Sequence, residues 1–247
     1  RKGDLSGLQM LVQLASSRDT RRLADICGED DRACREGVRT IWERQIEAAE
    51  AAYDRSAECR FTSFVGYEYT GLVRGSSYHR NVIFRNAEVP ELPVSFMEAP
   101  WDYQLWQQLE AQCVEGMENC DVLTIPHNSN LSNGRLLRSD FPDAPKAVDA
   151  ERARARQEYE PLLEIFQHKG SSECVGGLPG ILGAPDELCG VEQVREIGSR
   201  FVDPRTREPS TIEPCRGTAG SGGITGGGCV SRRDFLRSAL LVGLEEK

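Results

Sequence analysis

The chain has 247 residues, enough for one large domain with its own core, and its 39% hydrophobic and 28% charged content is that of an ordinary soluble globular protein. Its formal net charge of -9 argues against an electrostatic grip on nucleic acid or anionic lipid. No apolar run approaches the roughly 20 residues that cross a bilayer, and the longest candidate, Ala239 to Leu244, is far too short.

Residues 1–60 read as a helical segment. From Asp31 to Ala57, Val38, Ile41, Trp42, Ile46, Ala49 and Tyr53 form one helical stripe, with Glu43, Arg44, Glu47 and Glu50 on the other face. Asp30 or Asp31 can cap its start. Aromatic and β-branched residues predict a strand over Phe61 to Tyr69 and a second over Asn81 to Phe84. Val89 to Pro100, with three prolines, is a loop. Asp102 to Cys113 is a helix carrying Tyr103, Trp106 and Leu109 on one side. Asp121 to Ile125 is a short buried strand stopped by Pro126. A charged helix over Asp149 to Glu160 and another short strand, Pro161 to Phe166, follow.

Strands alternating with helices point to an α/β architecture with parallel strands. Residues 203–230 read as loop, with seven glycines between Gly217 and Gly228. That run has neither phosphate-loop nor dinucleotide spacing, which leaves a flexible surface connection or an active-site flap. Ser231 with Asp234 three residues on makes a capping-box start for a last helix through Phe235, Leu236, Ala239, Leu240 and Leu244. The chain opens at Arg1 without a signal-peptide pattern and closes on Glu245-Glu246-Lys247 directly after a helical pattern, so both ends are expected to be cuts within a longer protein.

Nine cysteines fall into four local sets, Cys27 and Cys34, Cys113 and Cys120, Cys174 and Cys189, Cys215 and Cys229, with Cys59 left over. Two readings stand: several disulfides in an oxidising compartment, periplasmic or secreted, or mostly free thiols. No Cys-x-x-Cys occurs, which removes the usual zinc-ribbon and thioredoxin patterns. Cys174 lies near His168 in sequence, but nothing specific supports a Cys-His nucleophile.

All three histidines sit in polar clusters beside strands: His79 ahead of Arg80-Asn81, His127 ahead of Asn128-Ser129-Asn130, and His168 ahead of Lys169-Gly170. In parallel α/β folds the carboxyl ends of strands converge on one mouth, where sites form. Glu68, inside the otherwise apolar Val65 to Tyr69, is either a metal ligand or the partner of a nearby cation such as Arg80, because a buried lone carboxylate costs several kcal/mol. His127 is either a metal ligand or bonded to loop backbone; His79 is a weaker candidate. If the strand beyond Pro161 continues, Glu164, Phe166 and His168 share a face. Lys169, Arg80 and Glu173 are candidate substrate contacts or ordinary surface charges, a cation beside a metal suiting an anionic group.

The stretches Phe64 to Thr70, His79 to Phe84, Ile125 to Gly134 and Glu164 to Glu173 resemble the uncharacterised domain-of-unknown-function family 3604, which is similar to the polymerase-and-histidinol-phosphatase (PHP) superfamily of metal-dependent phosphoesterases. The resemblance covers roughly Asp31 to Leu244. It implies a partial distorted TIM-like barrel of parallel strands with outer helices, in which residues 1–60 pack on the barrel and residues 61–247 form its middle part. It also implies two or three divalent ions at the barrel mouth, with Glu68 and His127 as matching ligands and His79 and Glu164 as looser matches. PHP-like proteins open with a His-x-His strand and close with an Asp-x-His strand, and neither pair is present among these 247 residues.

The expected function is therefore a metal-dependent hydrolase of phosphate or related anionic esters. Its zinc, manganese or iron would be incompletely ligated by Glu68, His127, His79 and Glu164. Arg80, Asn128, Asn130, His168, Lys169 and Glu173 would face a small anionic substrate, and neither nucleic acid nor a membrane span is expected. The alternative is a secreted, disulfide-stabilised binding domain without chemistry.

Overall fold

The structure, a computed structural model, describes residues 22, 24–73, 75–138, 149–178, 187–203 and 206–245. Much of the expected amino-terminal segment, residues 1–21, lies outside them.

Helix α1 (Ala24–Cys27) is joined to the long helix α2 (Arg32–Ala52) by the Cys27–Cys34 disulfide. The Asp30 carboxylate accepts from the Arg32 N–H at 3.2 Å, while Asp31, at the cap position of α2, makes no side-chain capping bond. The buried stripe of α2 is narrower than the sequence suggests. Trp42 is buried and Ile46 and Ala49 pack half-buried on the core, whereas Ile41 is 60% exposed. The Trp42 indole donates to Pro90 O at 3.0 Å and packs edge-on against Tyr67. This contact lays the helix on the sheet.

That sheet has three strands in the order β1 (Gly66–Val73), β2 (Ser76–Phe84), β3 (Val122–His127), and both pairings are antiparallel. The expectation of a parallel TIM-like barrel is overturned. Only two residues separate Val73 from Ser76, and Gly75 takes φ +71 there. A tight hairpin can join antiparallel strands, while a parallel crossover needs a dozen residues or more. Reading Ser76 to Arg80 as a polar cluster hid the first half of β2, and with it the hairpin. The remaining strands form two-stranded pairs, one of them parallel, and no barrel closes among the described residues.

The alternation of side chains along these strands sorts the residues to two faces. One face presents Tyr69, Tyr78, Val82, Phe84 and Val122, which are buried with Leu105, Trp106 and Leu109 of α3 (Asp102–Leu109). After α3 the chain widens into a π turn over Glu110–Val114, and Cys113–Cys120 ties that turn to the lead-in of β3. Helix α4 (Asp149–Tyr159) closes this side, with the Thr124 hydroxyl donating to Tyr159 O at 3.1 Å. The other face carries Glu68, His79 and His127.

Beyond α4 the expected strand over Pro161 to Phe166 reduces to a short hairpin, β4 (Phe166–Gln167) with β5 (Gly170–Ser171). A second apolar cluster gathers Val175, Leu178, Ile212, Val230 and Phe235. The glycine run is not a loose connection: the buried Arg195 guanidinium donates to the carbonyls of Ser221, Gly227 and Cys229 at 2.6, 2.8 and 3.0 Å, and Gly223 N donates to Asn133 Oδ1 at 2.7 Å. Many glycines let this stretch wrap one guanidinium with backbone carbonyls. Ser231 forms the expected capping box with Asp234, ahead of helix α5 (Leu236–Glu245).

All four local cysteine sets are disulfides, and Cys59 is free and exposed. No helix of the described residues is long and apolar enough to cross a membrane. Opening Cys174–Cys189, which spans 15 residues, by replacing both cysteines with Ala is expected to lower the unfolding free energy by about 3 kcal/mol through the freed denatured chain. A urea titration of the double variant against the parent checks this; an unchanged midpoint would mean the bridge does not constrain the unfolded state.

Candidate metal centre

Three strands contribute one side chain each to a corner of the half-open sheet face. The register sets Thr70 opposite His79 and His79 opposite His127. Glu68, two residues before Thr70 on β1, thus lies diagonally across from His79 on the same face. Glu68 Oε1 is 3.1 Å from His79 Nδ1 and 3.1 Å from His127 Nε2. The two imidazole rings stand 5.7 Å apart, nearly perpendicular at 79°. One potential ligand atom from each residue falls within 4.8 Å of the others. The His79 and His127 side chains are only 11% and 6% exposed, whereas that of Glu68 is 45% exposed, so the cluster opens to solvent on its carboxylate side.

β3 ends where it does because Asn128 turns the chain in the left-handed region, at φ 58. Asparagine tolerates that conformation better than most residues, and it lets His127 stay on the strand while the chain turns into Ser129–Leu131.

The electrostatics separate the members. Burial pushes His79 down to about 4, against the pull of Glu68 and with a further push from the neighbouring His127 and Lys169. Burial works to raise Glu68, but the hydrogen bond with His127 and the nearness of His79, His127 and Lys169 outweigh it and hold the carboxyl below its ordinary value. At neutral pH the corner therefore offers a carboxylate beside a neutral His79 imidazole, the protonation states a metal requires.

The donor set fits a divalent cation. His79 Nε2 and His127 Nδ1 are both buried and have no hydrogen-bond partner among the described residues. A buried unpaired imidazole nitrogen carries a desolvation cost of about 1–3 kcal/mol unless something binds it. Ligand atoms held about 2.0–2.2 Å from one tetrahedral ion stand about 3.4 Å apart, close to the two 3.1 Å separations here. Two imidazoles and one carboxylate also make a three-ligand set of the kind that leaves a coordination position open for chemistry.

The sequence family described as Protein of unknown function (DUF3604) matches residues 2–246. The chain belongs to this family. No curated protein and no solved structure matches it. DUF3604 membership spans all three cluster residues and names no chemistry, so a functional reading of this DUF3604 chain rests on geometry.

The other expected site residues of the DUF3604 chain separate into near and far. Asn128 and Asn130 are buried directly after β3, and Lys169 reaches the first of them, donating to Asn128 Oδ1 at 3.3 Å. Glu164 lies beside the end of β3, where its N–H donates to Pro126 O at 3.1 Å, but its carboxylate is outside the three-residue group. His168 is exposed in the turn between β4 and β5, because the strand that would have aligned it with Glu164 ends after two residues. Glu173 pairs with Arg237.

Arg80 requires the largest correction. Its neighbours on β2 alternate, so while His79 faces the cluster, Arg80 points into the core and is fully buried against Asp102 and Glu160. It is neither a substrate contact nor the partner of Glu68. The signal was present in the spacing: Tyr78, Arg80, Val82 and Phe84 share one face. What sequence reasoning missed was the matching set of Asp102, Arg156 and Glu160, which neither helix pattern singles out.

Proposed function

We propose that the Glu68–His79–His127 corner binds a divalent cation, zinc, manganese or iron, and that the protein hydrolyses phosphate esters or related anionic esters of small molecules. The observation that carries the reading is Glu68 Oε1 at 3.1 Å from one nitrogen of each imidazole while the remaining buried nitrogens of both rings lack partners. When bound, such a cation supplies Lewis acidity, polarising an ester oxygen and making water a stronger nucleophile at neutral pH. The protein's part is to hold one carboxylate and two imidazoles on three adjacent strands, where hydrogen-bonded backbone fixes their spacing. The half-exposed Glu68 side is the approach for substrate and water, and the buried imidazoles close the opposite side.

The kinship with PHP phosphoesterases that the sequence motifs imply enters this reading only through Glu68 and His127, since the barrel is not part of it. Four disulfides support an oxidising compartment, periplasmic or secreted. They also favour the second reading, a stapled binding domain without chemistry.

Turnover separates the two. The chain loaded with zinc, manganese or ferrous ion is incubated with p-nitrophenyl phosphate, bis(p-nitrophenyl) phosphate and p-nitrophenyl sulfate. Metal-dependent release of p-nitrophenol, abolished by chelation and by Glu68→Gln, is the expected outcome. Tight metal binding with no release from any of the three favours the binding domain, and no metal binding at all removes the proposal.

A further inference from the structure

Lys169 stands next to the cluster without an evident structural need. The residue is half-buried, and its ammonium makes one hydrogen bond among the described residues, the 3.3 Å contact to Asn128 Oδ1. Three N–H donors are available on the group. It is a cation beside a corner built to receive another cation, and its charge bears on both Glu68 and His79. A divalent cation and Lys169 together outweigh the single negative charge of Glu68, so the place favours a further anion.

The backbone around Lys169 is fixed, so the side chain is presented rather than left to wander. Asn130 Nδ2 donates to Lys169 O at 2.9 Å. Gly170 follows at φ +93, with Glu192 O only 2.5 Å from where a Cβ would stand, so the hairpin is clamped against its neighbour. These contacts also fix the orientation of the Asn128 amide: its oxygen faces Lys169, which leaves Nδ2, buried and without a partner, as a free donor. Asn128 follows the cluster residue His127 directly.

Resting on the metal-site reading above, we infer that Lys169 and Asn128 form an oxyanion subsite beside the Glu68–His79–His127 corner, which takes the phosphate or sulfate group of the substrate. Lysine supplies charge and the amide supplies direction, the division of labour expected for a tetrahedral anion. Both anions share this chemistry.

Calorimetric titration of the 247-residue chain with zinc, then with inorganic phosphate or sulfate, tests the subsite. Lys169→Met is expected to weaken phosphate by about tenfold or more, the usual loss of a charged hydrogen bond, while zinc affinity stays the same or tightens. Asn128→Asp, nearly isosteric and tolerant of the same backbone conformation, should also lose phosphate and gives a second variant if Lys169→Met folds poorly. Phosphate at least about tenfold tighter than sulfate assigns a phosphate ester; sulfate equal or tighter assigns a sulfate ester. If zinc binds and both variants keep the parent's anion affinity, the subsite is wrong and the metal site stands. If zinc does not bind but phosphate binding still depends on Lys169, the subsite stands and the metal site falls. Absence of anion binding with and without zinc overturns the inference.

Discussion

Arg80→Ala is expected to lower the unfolding free energy by about 3–5 kcal/mol, the cost of removing one partner from a buried ion network. The Arg80 side chain is 0% exposed, as is that of Asp102, and Glu160 is 3% exposed. Arg80 Nη2 lies 3.1 Å from Asp102 Oδ2, Arg80 Nε bonds Glu160, and Arg156 reaches both acids from α4. Arg80 and Arg156 thus pair directly with the two acids in the core between sheet and helices, and the buried Arg138 adds its charge to Asp102. Deleting Arg80 leaves Arg156, with the further charge of Arg138 on Asp102, facing two carboxylates.

The same network sets a pH dependence. Burial works to raise Asp102, but Arg156 and Arg80 outweigh it and hold the carboxyl below its ordinary value. A depressed carboxyl binds fewer protons folded than unfolded, so its contribution is present above the ordinary carboxylate range and is lost as pH falls through the folded value. Urea titrations at pH 7 and in the acid range should show the parent losing this contribution on acidification, with a smaller loss in Arg80→Ala. A change within about 0.5 kcal/mol at pH 7 is the size seen for surface sites, and it would restore Arg80 to the surface as a candidate substrate contact.

Arg80 also shows why part of the fold could be read in advance and part could not. Local relations were legible. The four cysteine sets close short loops of 7 to 15 residues, the Ser231–Asp234 capping box acts across three positions, and the apolar run from Val122 reads as a buried strand wherever it pairs. Relations between segments were not. An amphipathic strand has the same period of two whether its partner runs parallel or antiparallel, so strand direction had to come from the connection. The connection was hidden because the serines opening β2 resemble a loop. Likewise, burial of Asp102 and Glu160 depends on how α3 and α4 meet the sheet, which no single helix pattern contains. The glycine run misled for a related reason: its composition suits a mobile loop, and the residues that give it a shape, Arg195 and Asn133, are distant in sequence.

The candidate site divides along the same line. Glu68 stood out as a carboxylate among apolar strand residues, and His127 as an imidazole at a strand end, both local signals. His79 gained its place through register, since the β2–β3 pairing sets it directly opposite His127. Glu164 and His168 lost theirs when the strand expected to carry them proved only two residues long.

His127→Ala and Glu68→Gln are each expected to weaken zinc binding by about 100-fold or more, about 2.7 kcal/mol in binding free energy. The reason is structural economy. Three ligands leave no spare donor, and lost members of a preformed set are replaced only by water. Glu68→Gln keeps the shape and one acceptor oxygen but removes the negative charge that offsets the cation, so its loss measures charge instead of packing. His79→Ala should behave like His127→Ala if the ion sits between the rings. His168→Ala is the control: the same residue type, exposed in the β4–β5 turn, with expected affinity within about twofold of the parent, since exposed substitutions away from a site change free energies by at most about 0.5 kcal/mol. A purely structural cluster gives a different pattern. There Glu68 and His127 merely hydrogen-bond each other, so the substitutions would shift the urea midpoint and leave zinc affinity level with that of His168→Ala. Competition against a chromophoric chelator reads the affinity directly, and parallel unfolding curves read the stability. Affinity falling with the midpoint held identifies ligands, and the midpoint falling with affinity held identifies a packing contact.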